Sequence, residues 1–152
     1  MSAPTTFSSA LVVDDLVDAR QWLSAALRSA FPGIEVKTAG SLGEALAAIE
    51  PPPQLALIDL GLPDGNGTQL IEALRSSGAD TLCIVATVFD DDAHLFPALR
   101  AGAQGYVLKD RDREVLAAML QGIAAGQPPL SSSIARRLGV DHTTVARRLQ
   151  AL

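Results

Sequence analysis

Over the first 130 residues, short apolar runs alternate strictly with longer stretches whose apolar residues recur at helical spacing, and this feature constrains the fold most. Five runs read as strands, at 10–14, 35–39, 55–59, 82–87 and 104–108. The helical patterns between and after them fall at about 17–31, 42–49, 67–76, 91–101 and 111–125. Such alternation is the signature of repeated βα units, so an α/β chain with a five-stranded parallel sheet is expected. The first, third and fourth runs are apolar nearly throughout, as happens where helices cover both faces of a sheet. The second carries Glu35, Lys37 and Thr38 and is expected at an edge. In the first helical pattern Leu16, Ala19, Leu23, Ala26, Leu27 and Ala30 form an apolar stripe, with Trp22 packing beside it.

The polar residues gather where an open α/β sheet keeps its chemistry, at the carboxyl ends of the strands. Asp14 and Asp15 end the first run, Asp59 the third and Thr87 the fourth, and Lys109 follows the fifth. Carboxylates converging on one rim repel one another, so either their pKa values rise or a cation joins them; hard oxygen donors with room for water favour Mg²⁺. Asp59 could then act as a nucleophile toward a phosphoryl group, with Lys109 pairing its oxygens and Thr87 donating a hydroxyl. Taken singly, each residue has a plainer explanation. Asp14 and Asp15 suit a helix N-cap, Asp59 a turn, Thr87 a strand and Lys109 a solvated surface. Their coincidence at four strand ends favours the shared pocket.

Four segments carry a family resemblance. They are Leu11-Val12-Val13-Asp14-Asp15, Leu57-Ile58-Asp59-Leu60-Gly61-Leu62-Pro63-Asp64-Gly65, Val85-Ala86-Thr87-Val88-Phe89-Asp90-Asp91 and Ala101-Gly102-Ala103-Gln104-Gly105-Tyr106-Val107-Leu108-Lys109-Asp110. Over roughly residues 8–125 the chain resembles the receiver domains of two-component response regulators, most closely the NarL/FixJ branch. The resemblance implies a flavodoxin-like (βα)5 fold with strand order 2-1-3-4-5 and phosphorylation of Asp59 by a sensor histidine kinase. It implies Mg²⁺ held by Asp15, Asp59 and the carbonyl of Gly61, with Asp14 completing the acidic pair. Thr87 and Tyr106 would be the switch pair, the tyrosine ring turning from outward to inward on phosphorylation. Such a chain takes the phosphoryl group onto itself and is not a turnover enzyme in the usual sense. Two departures stand out. Most receivers have proline after the lysine; Asp110 stands there, so a trans peptide is expected. Pro97 falls within the fourth helix, where it removes a donor and crowds the carbonyl of Ala93, so that helix should kink or begin late.

Charge divides the chain. Residues 1–130 hold 8 Lys+Arg against 16 Asp+Glu, whereas residues 131–152 hold 4 Arg against 1 Asp. An acidic body would repel nucleic acid and a basic tail could attract it. Gly126-Gln127-Pro128-Pro129 stops the fifth helix, and two short helices are expected at 132–138 and 142–151. The intended division is a flexible tail over 1–8, a receiver over 9–126, a linker over 127–131 and a helix-turn-helix-like appendage over 132–152. Residues 132–152 are too few for the usual output domain of the branch. They resemble a Fis-like or AsnC-like helix-turn-helix, in which Ala135 allows close approach, Gly139 turns the chain, and Val140 and Val145 fill the corner. His142, Thr143, Thr144, Arg147 and Arg148 would then face DNA, a homodimer bringing two such units onto it. Residues 128–137, Pro128-Pro129-Leu130-Ser131-Ser132-Ser133-Ile134-Ala135-Arg136-Arg137, also resemble the ordinary linker helix before a NarL-type output domain, in which case Arg136, Arg137, Arg147 and Arg148 are merely a solvated face.

Remaining features narrow the function classes. The single cysteine, Cys83, sits in an apolar run and reads as a buried small hydrophobe. His94 and His142 have no metal-ligand spacing. Neither a leader-like start nor an apolar stretch of ~18 residues is present, so a soluble cytoplasmic protein without membrane contact is expected. The leading function is a phosphorylation-switched transcriptional regulator. The alternative is a receiver working only through protein contacts, its C-terminal helices used for docking or dimerisation. A Mg²⁺-dependent phosphatase shares the pocket chemistry, but such enzymes commonly repeat an aspartate two residues after the nucleophile, where this chain has Gly61.

Overall fold

The computed structural model describes residues 7–109, 112–127 and 129–139. Five strands, β1 (Ser9–Val13), β2 (Glu35–Ala39), β3 (Leu55–Ile58), β4 (Leu82–Thr87) and β5 (Gly105–Leu108), form one parallel sheet in the order β2-β1-β3-β4-β5. The helices are α1 (Val17–Ala30), α2 (Leu42–Ala47), α3 (Gly67–Ser76), α4 (Asp92–Ala101), α5 (Arg113–Gln121) and α6 (Ser132–Arg137), with a 3₁₀ turn over Gly122–Ala125. This is the expected α/β architecture, with β2 at the expected edge. No helix among the described residues is long and apolar enough to cross a membrane.

Period-two alternation along the strands sorts their side chains into two cores. Leu11, Val13, Ala56, Ile58, Cys83, Val85, Tyr106 and Leu108 face α2, α3 and α4, where they meet Leu42, Leu70, Ile71, Leu74, Leu95 and Leu99. Ala10, Val12, Leu55, Leu57, Ile84, Ala86 and Val107 face α1 and α5, meeting Leu23, Leu27, Leu116 and Leu120, with Trp22 partly buried alongside. A one-residue slip of any central strand would exchange its two sets, so the packing fixes the register. Cys83 is free and buried, and burial pushes its thiol up to about 11, as befits a small core residue.

The strands stop one residue short of the predicted ends at Asp14 and Asp59, yet the ladder continues through their backbones. Asp14 N–H donates to the Ala39 carbonyl at 3.1 Å, and Asp59 N–H to the Val13 carbonyl at 2.9 Å. Each carboxylate is thereby fixed at the sheet rim, on either side of the β1/β3 switch in strand order. Helix α4 runs through Pro97 as one element and starts at Asp92, so of the two effects expected of that proline, a kink or a late start, the late start is not found. It ends at Gly102, whose φ of 114° lies in the left-handed region that glycine accepts without cost. The peptide between Lys109 and Asp110 and the helix expected at 142–151 lie outside the described residues, as do Val140 and Val145.

Beyond α5 the chain returns to the sheet. Tyr106 N–H donates to the Pro129 carbonyl at 3.0 Å, Ser131 N–H to the Tyr106 carbonyl at 3.1 Å, and Leu108 N–H to Ser131 Oγ at 2.9 Å. Residues 129–131, expected as linker, thus line the free edge of β5. Leu130 and Ile134 are buried in the core that includes Tyr106. The first part of the expected appendage therefore packs on the receiver.

Gly67 opens α3 directly beneath the rim. A Cβ there would overlap the Asp59 carbonyl oxygen and lie 2.8 Å from Ile58 Cγ2. Backbone cannot yield as a flexible side chain can, so Gly67→Ala is expected to destabilise the fold by about 1–3 kcal/mol. Urea unfolding measures this directly; an unchanged midpoint would show that β3 and α3 separate freely.

Candidate functional site

At the carboxyl rim, β1, β3 and β5 deliver Asp14, Asp59 and Lys109 to one point. Asp14 is fully buried and Asp59 is 6% exposed, while Asp15 is open to solvent. The Lys109 ammonium donates to Asp14 Oδ2 at 2.6 Å and to Asp59 Oδ2 at 3.3 Å. Its own position is set by its backbone N–H, which bonds the Thr87 carbonyl at 2.9 Å. Asp14, Asp15 and Asp59 each turn one oxygen into a group within 4.8 Å of one another. Hard oxygen donors, one of them solvent-facing, suit a divalent cation that keeps several waters. Asp14 has less to offer a metal than its neighbours, because Oδ1 already accepts from Leu16 N–H at 3.0 Å and Oδ2 from Lys109. Asp15 and Asp59 are the freer ligands. Gly61 is exposed two residues past Asp59, where it pairs with Asn66 in a short antiparallel ribbon.

Burial pushes the Asp59 carboxyl above its ordinary 3.8; the Lys109 ammonium pulls it down, but less, and the nearby Asp14 charge pushes it up again. The Thr87 hydroxyl favours the ionised form. Burial works against the Lys109 ammonium, but the hydrogen bond it donates to Asp14 and the charge of Asp59 outweigh it and hold that pKa above 10.5. The site is therefore an ionised lysine among carboxylates, one of which is reluctant to ionise. Added positive charge would relieve that reluctance.

Thr87 ends β4 and Tyr106 lies on β5, with the tyrosine ring turned inward. Its ring is fully buried, and its hydroxyl donates to the Phe89 carbonyl at 2.6 Å. The ring lies inward, and residues 129–134 cover the edge that an outward ring would face. Thr87 is buried as well, its Oγ1 accepting from Phe89 N–H at 3.4 Å.

Several contributing residues have no obvious sequence signal. Arg20 donates to the Asp14 carbonyl at 2.7 Å, bracing the turn after β1. Asp64 accepts from Leu42 N–H at 2.7 Å and Gly43 N–H at 2.9 Å, capping α2 from the β3–α3 loop, and these bonds hold its carboxyl below 3.8. Phe89 leans over the rim with its ring edge 3.4 Å from where a Cβ on Gly61 would stand. His94 stacks on it, centroids 4.1 Å apart, and bonds Asp91 at 2.7 Å. The proposed DNA-facing residues His142, Thr143, Thr144, Arg147 and Arg148 lie outside the described residues.

Comparison with known proteins adds a family match, two relatives and a solved structure. Residues 10–121 match the family model described as response regulator receiver domain. The chain is 38% identical over 104 residues to the DNA-binding transcriptional activator DevR/DosR of Mycobacterium tuberculosis, covering 68% of this chain and 48% of that protein. It is 35% identical over 137 residues to the acid tolerance regulatory protein ActR of Rhizobium meliloti, covering 88% and 70%. Among solved structures it is similar to a LuxR-family two-component response regulator from Aurantimonas, with TM-score 0.73, 26% identity, and 87% of this chain and 94% of that chain covered. The chain spans about half the length of the mycobacterial regulator.

The folded protein holds the Asp59 proton more tightly than the unfolded chain does. Metal-free stability should therefore fall as pH rises from 3.8 through the raised folded pKa, and level off above it. Asp59→Asn removes that loss. Its unfolding temperature at pH 7 without metal is expected to exceed that of wild type. The gain should vanish below pH ~3.5, where both forms are neutral. Calorimetry at the two pH values checks this, and a lower unfolding temperature at pH 7 would mean that the Lys109 attraction dominates.

Proposed function

This chain belongs to the response regulator receiver domain family, and from that premise we propose that it accepts a phosphoryl group on Asp59 and passes the change to a transcriptional output. The observation that carries the reading is one buried carboxylate, Asp59, held at a strand end beside an ionised lysine and two further carboxylates. The donor is a phosphohistidine of a sensor histidine kinase. An Asp59 oxygen bonds to phosphorus as the donor P–N bond breaks, and the imidazole leaves with the electron pair. A Mg²⁺ ion bound by Asp15, Asp59 and the Gly61 carbonyl, with Asp14 behind them, would offset the charge of the transferring group.

The chain's own residues do the rest. Lys109 already lies within bonding distance of Asp59 and is placed to follow its oxygens when they carry phosphorus. Thr87 offers a hydroxyl from the next strand, and phosphorylation adds about −1.5 to −2 charges for it to meet. The change is stoichiometric: the protein modifies itself and does not turn over as a classical enzyme would.

For the output, the mycobacterial relative, a DNA-binding transcriptional activator, supports a transcriptional role, and the residues assigned to DNA contact on this reading are His142, Thr143, Thr144, Arg147 and Arg148. The alignment with ActR extends beyond the 112 residues of the receiver match, which supports a shared segment after the receiver. Work on DNA places the proposed activity in the cytoplasm. One observation favours the alternative of docking or dimerisation: Ile134 is buried against the receiver and Arg137 pairs with Asp92 at 3.7 Å. The beginning of the basic segment is thus engaged with protein.

Acetyl phosphate with Mg²⁺ should label wild type once per chain and Asp59→Asn not at all; full labelling of the variant would remove Asp59 from the role. Asp15→Ala should raise the Mg²⁺ concentration needed for half-maximal labelling by roughly tenfold or more, as loss of a direct ligand does. DNA binding, titrated with salt, should lose about 1.8 from its log–log slope in Arg147→Ala/Arg148→Ala if both arginines meet phosphates. An unchanged slope with altered self-association would favour the docking reading.

A further inference from the structure

The segment after α5 lies against the residue best placed to sense the pocket. Both backbone polar groups of Tyr106 are taken by it, one by Pro129 and one by Ser131. Leu130 is the parallel bridge partner of Tyr106, so the two side chains share a face of the sheet, and Ile134 joins them with Leu95 and Leu99. Gly105 permits this close approach, for a Cβ there would overlap Pro129 Cγ and lie 2.8 Å from its carbonyl oxygen. At the far end of its ring, Tyr106 holds the Phe89 carbonyl, while Phe89 N–H holds Thr87 Oγ1. Phe89 is therefore gripped between the buried tyrosine and the threonine beside Asp59. For the ring to turn outward it would have to cross the edge of β5, and residues 129–134 occupy that edge.

We propose that residues 129–134 are a positioning element of the phosphoryl-accepting site: they hold Tyr106 inward, and through Phe89 they hold Thr87 in the arrangement that receives the phosphoryl group. The inference rests on the reading of Asp59 as acceptor. The docked segment and the phosphoryl group favour the same arrangement, so by reciprocity each strengthens the other. Phosphorylation then tightens the segment on β5 and does not release it.

Tyr106 is the only tyrosine of the chain, so the full-length protein labelled with 3-fluorotyrosine gives one ¹⁹F resonance that reports its ring. Wild type is compared with Ser131→Ala/Ile134→Ala, which loosens the segment, and with Gly105→Ala, which displaces it from the other side. Beryllofluoride with Mg²⁺ is the phosphoryl probe. Wild type should show one resonance that barely moves on adding the probe. The variants should show a second resonance that the probe drives back to the wild-type position. Half-saturation by beryllofluoride should rise about three- to tenfold, because apparent affinity scales with the fraction of protein already competent.

A role in stability alone would lower the unfolding temperature while leaving the resonance single and half-saturation unchanged, and that result overturns the proposal. A second resonance without loss of beryllofluoride affinity overturns it too, by separating the ring from the pocket. Ser131→Ala alone, which removes one hydrogen bond, carries the same test at smaller amplitude should the other variants fail to fold. Wild type that binds no beryllofluoride would instead refute the Asp59 reading, and the positioning role would fall with it. The resonance of the probe-free variants would still separate the two failures.

Discussion

The ammonium of Lys109 is the interaction on which the site depends. Taking a carboxylate out of water costs several kcal/mol unless a partner compensates, and Asp14 is wholly buried with its charge facing a second buried carboxylate. Lys109 spans from β5 past β4 to the carboxylates that follow β1 and β3, and so ties together the ends of strands whose backbones do not all touch. Its hold is strong enough to keep the lysine charged despite burial and too weak to make Asp59 an easy acid. What remains is a pocket with a surplus of negative charge, receptive to a cation and, once that surplus is offset, to a phosphoryl group.

Two constraints bring those groups within reach. The ladder continues one hydrogen bond past the strands at Asp14, Asp59 and Lys109, so the backbone, not side-chain packing, sets their height above the sheet. The alternation of core residues then prevents the strands from slipping, since a shift of one residue would send Leu57 to the face of Ile58 and break both cores together. The precision of the site is inherited from the sheet. Elements outside the sheet add only local bracing, as Arg20 of α1 does behind Asp14 and as Asp64 of the β3–α3 loop does at the start of α2.

The strands, the edge position of β2 and the convergence of Asp14, Asp15, Asp59, Thr87 and Lys109 were legible because each follows from a local pattern: apolar period, strand end, polar residue. The limits were equally physical. Asp64 sits in Pro63-Asp64-Gly65, which reads as a turn, and nothing nearby in sequence announces that its carboxylate serves amides more than twenty residues earlier. The inward ring of Tyr106 depends on Leu130 and Ile134, which cannot be foreseen when Pro128-Pro129 reads as the start of a linker. Gly105 looked like one residue of a family motif; its use became visible only with Pro129 against it. A stretch that resembles a tether can serve as an edge strand wherever a neighbour leaves room for its backbone.

That covered edge bears on how copies of the chain meet one another. An open sheet ordinarily exposes two rows of unpaired backbone groups, and a filament grows edge to edge only if every unit can bond on both sides. Here residues 129–131 use up hydrogen-bonding groups along β5, while among the described residues β2 has no further strand partner and carries Glu35 and Lys37 outward. On the β5 side the row open to another strand is therefore the outer backbone of residues 129–131, where Pro129 has no N–H to give, so a strand arriving there would find a poorer partner than a bare β5.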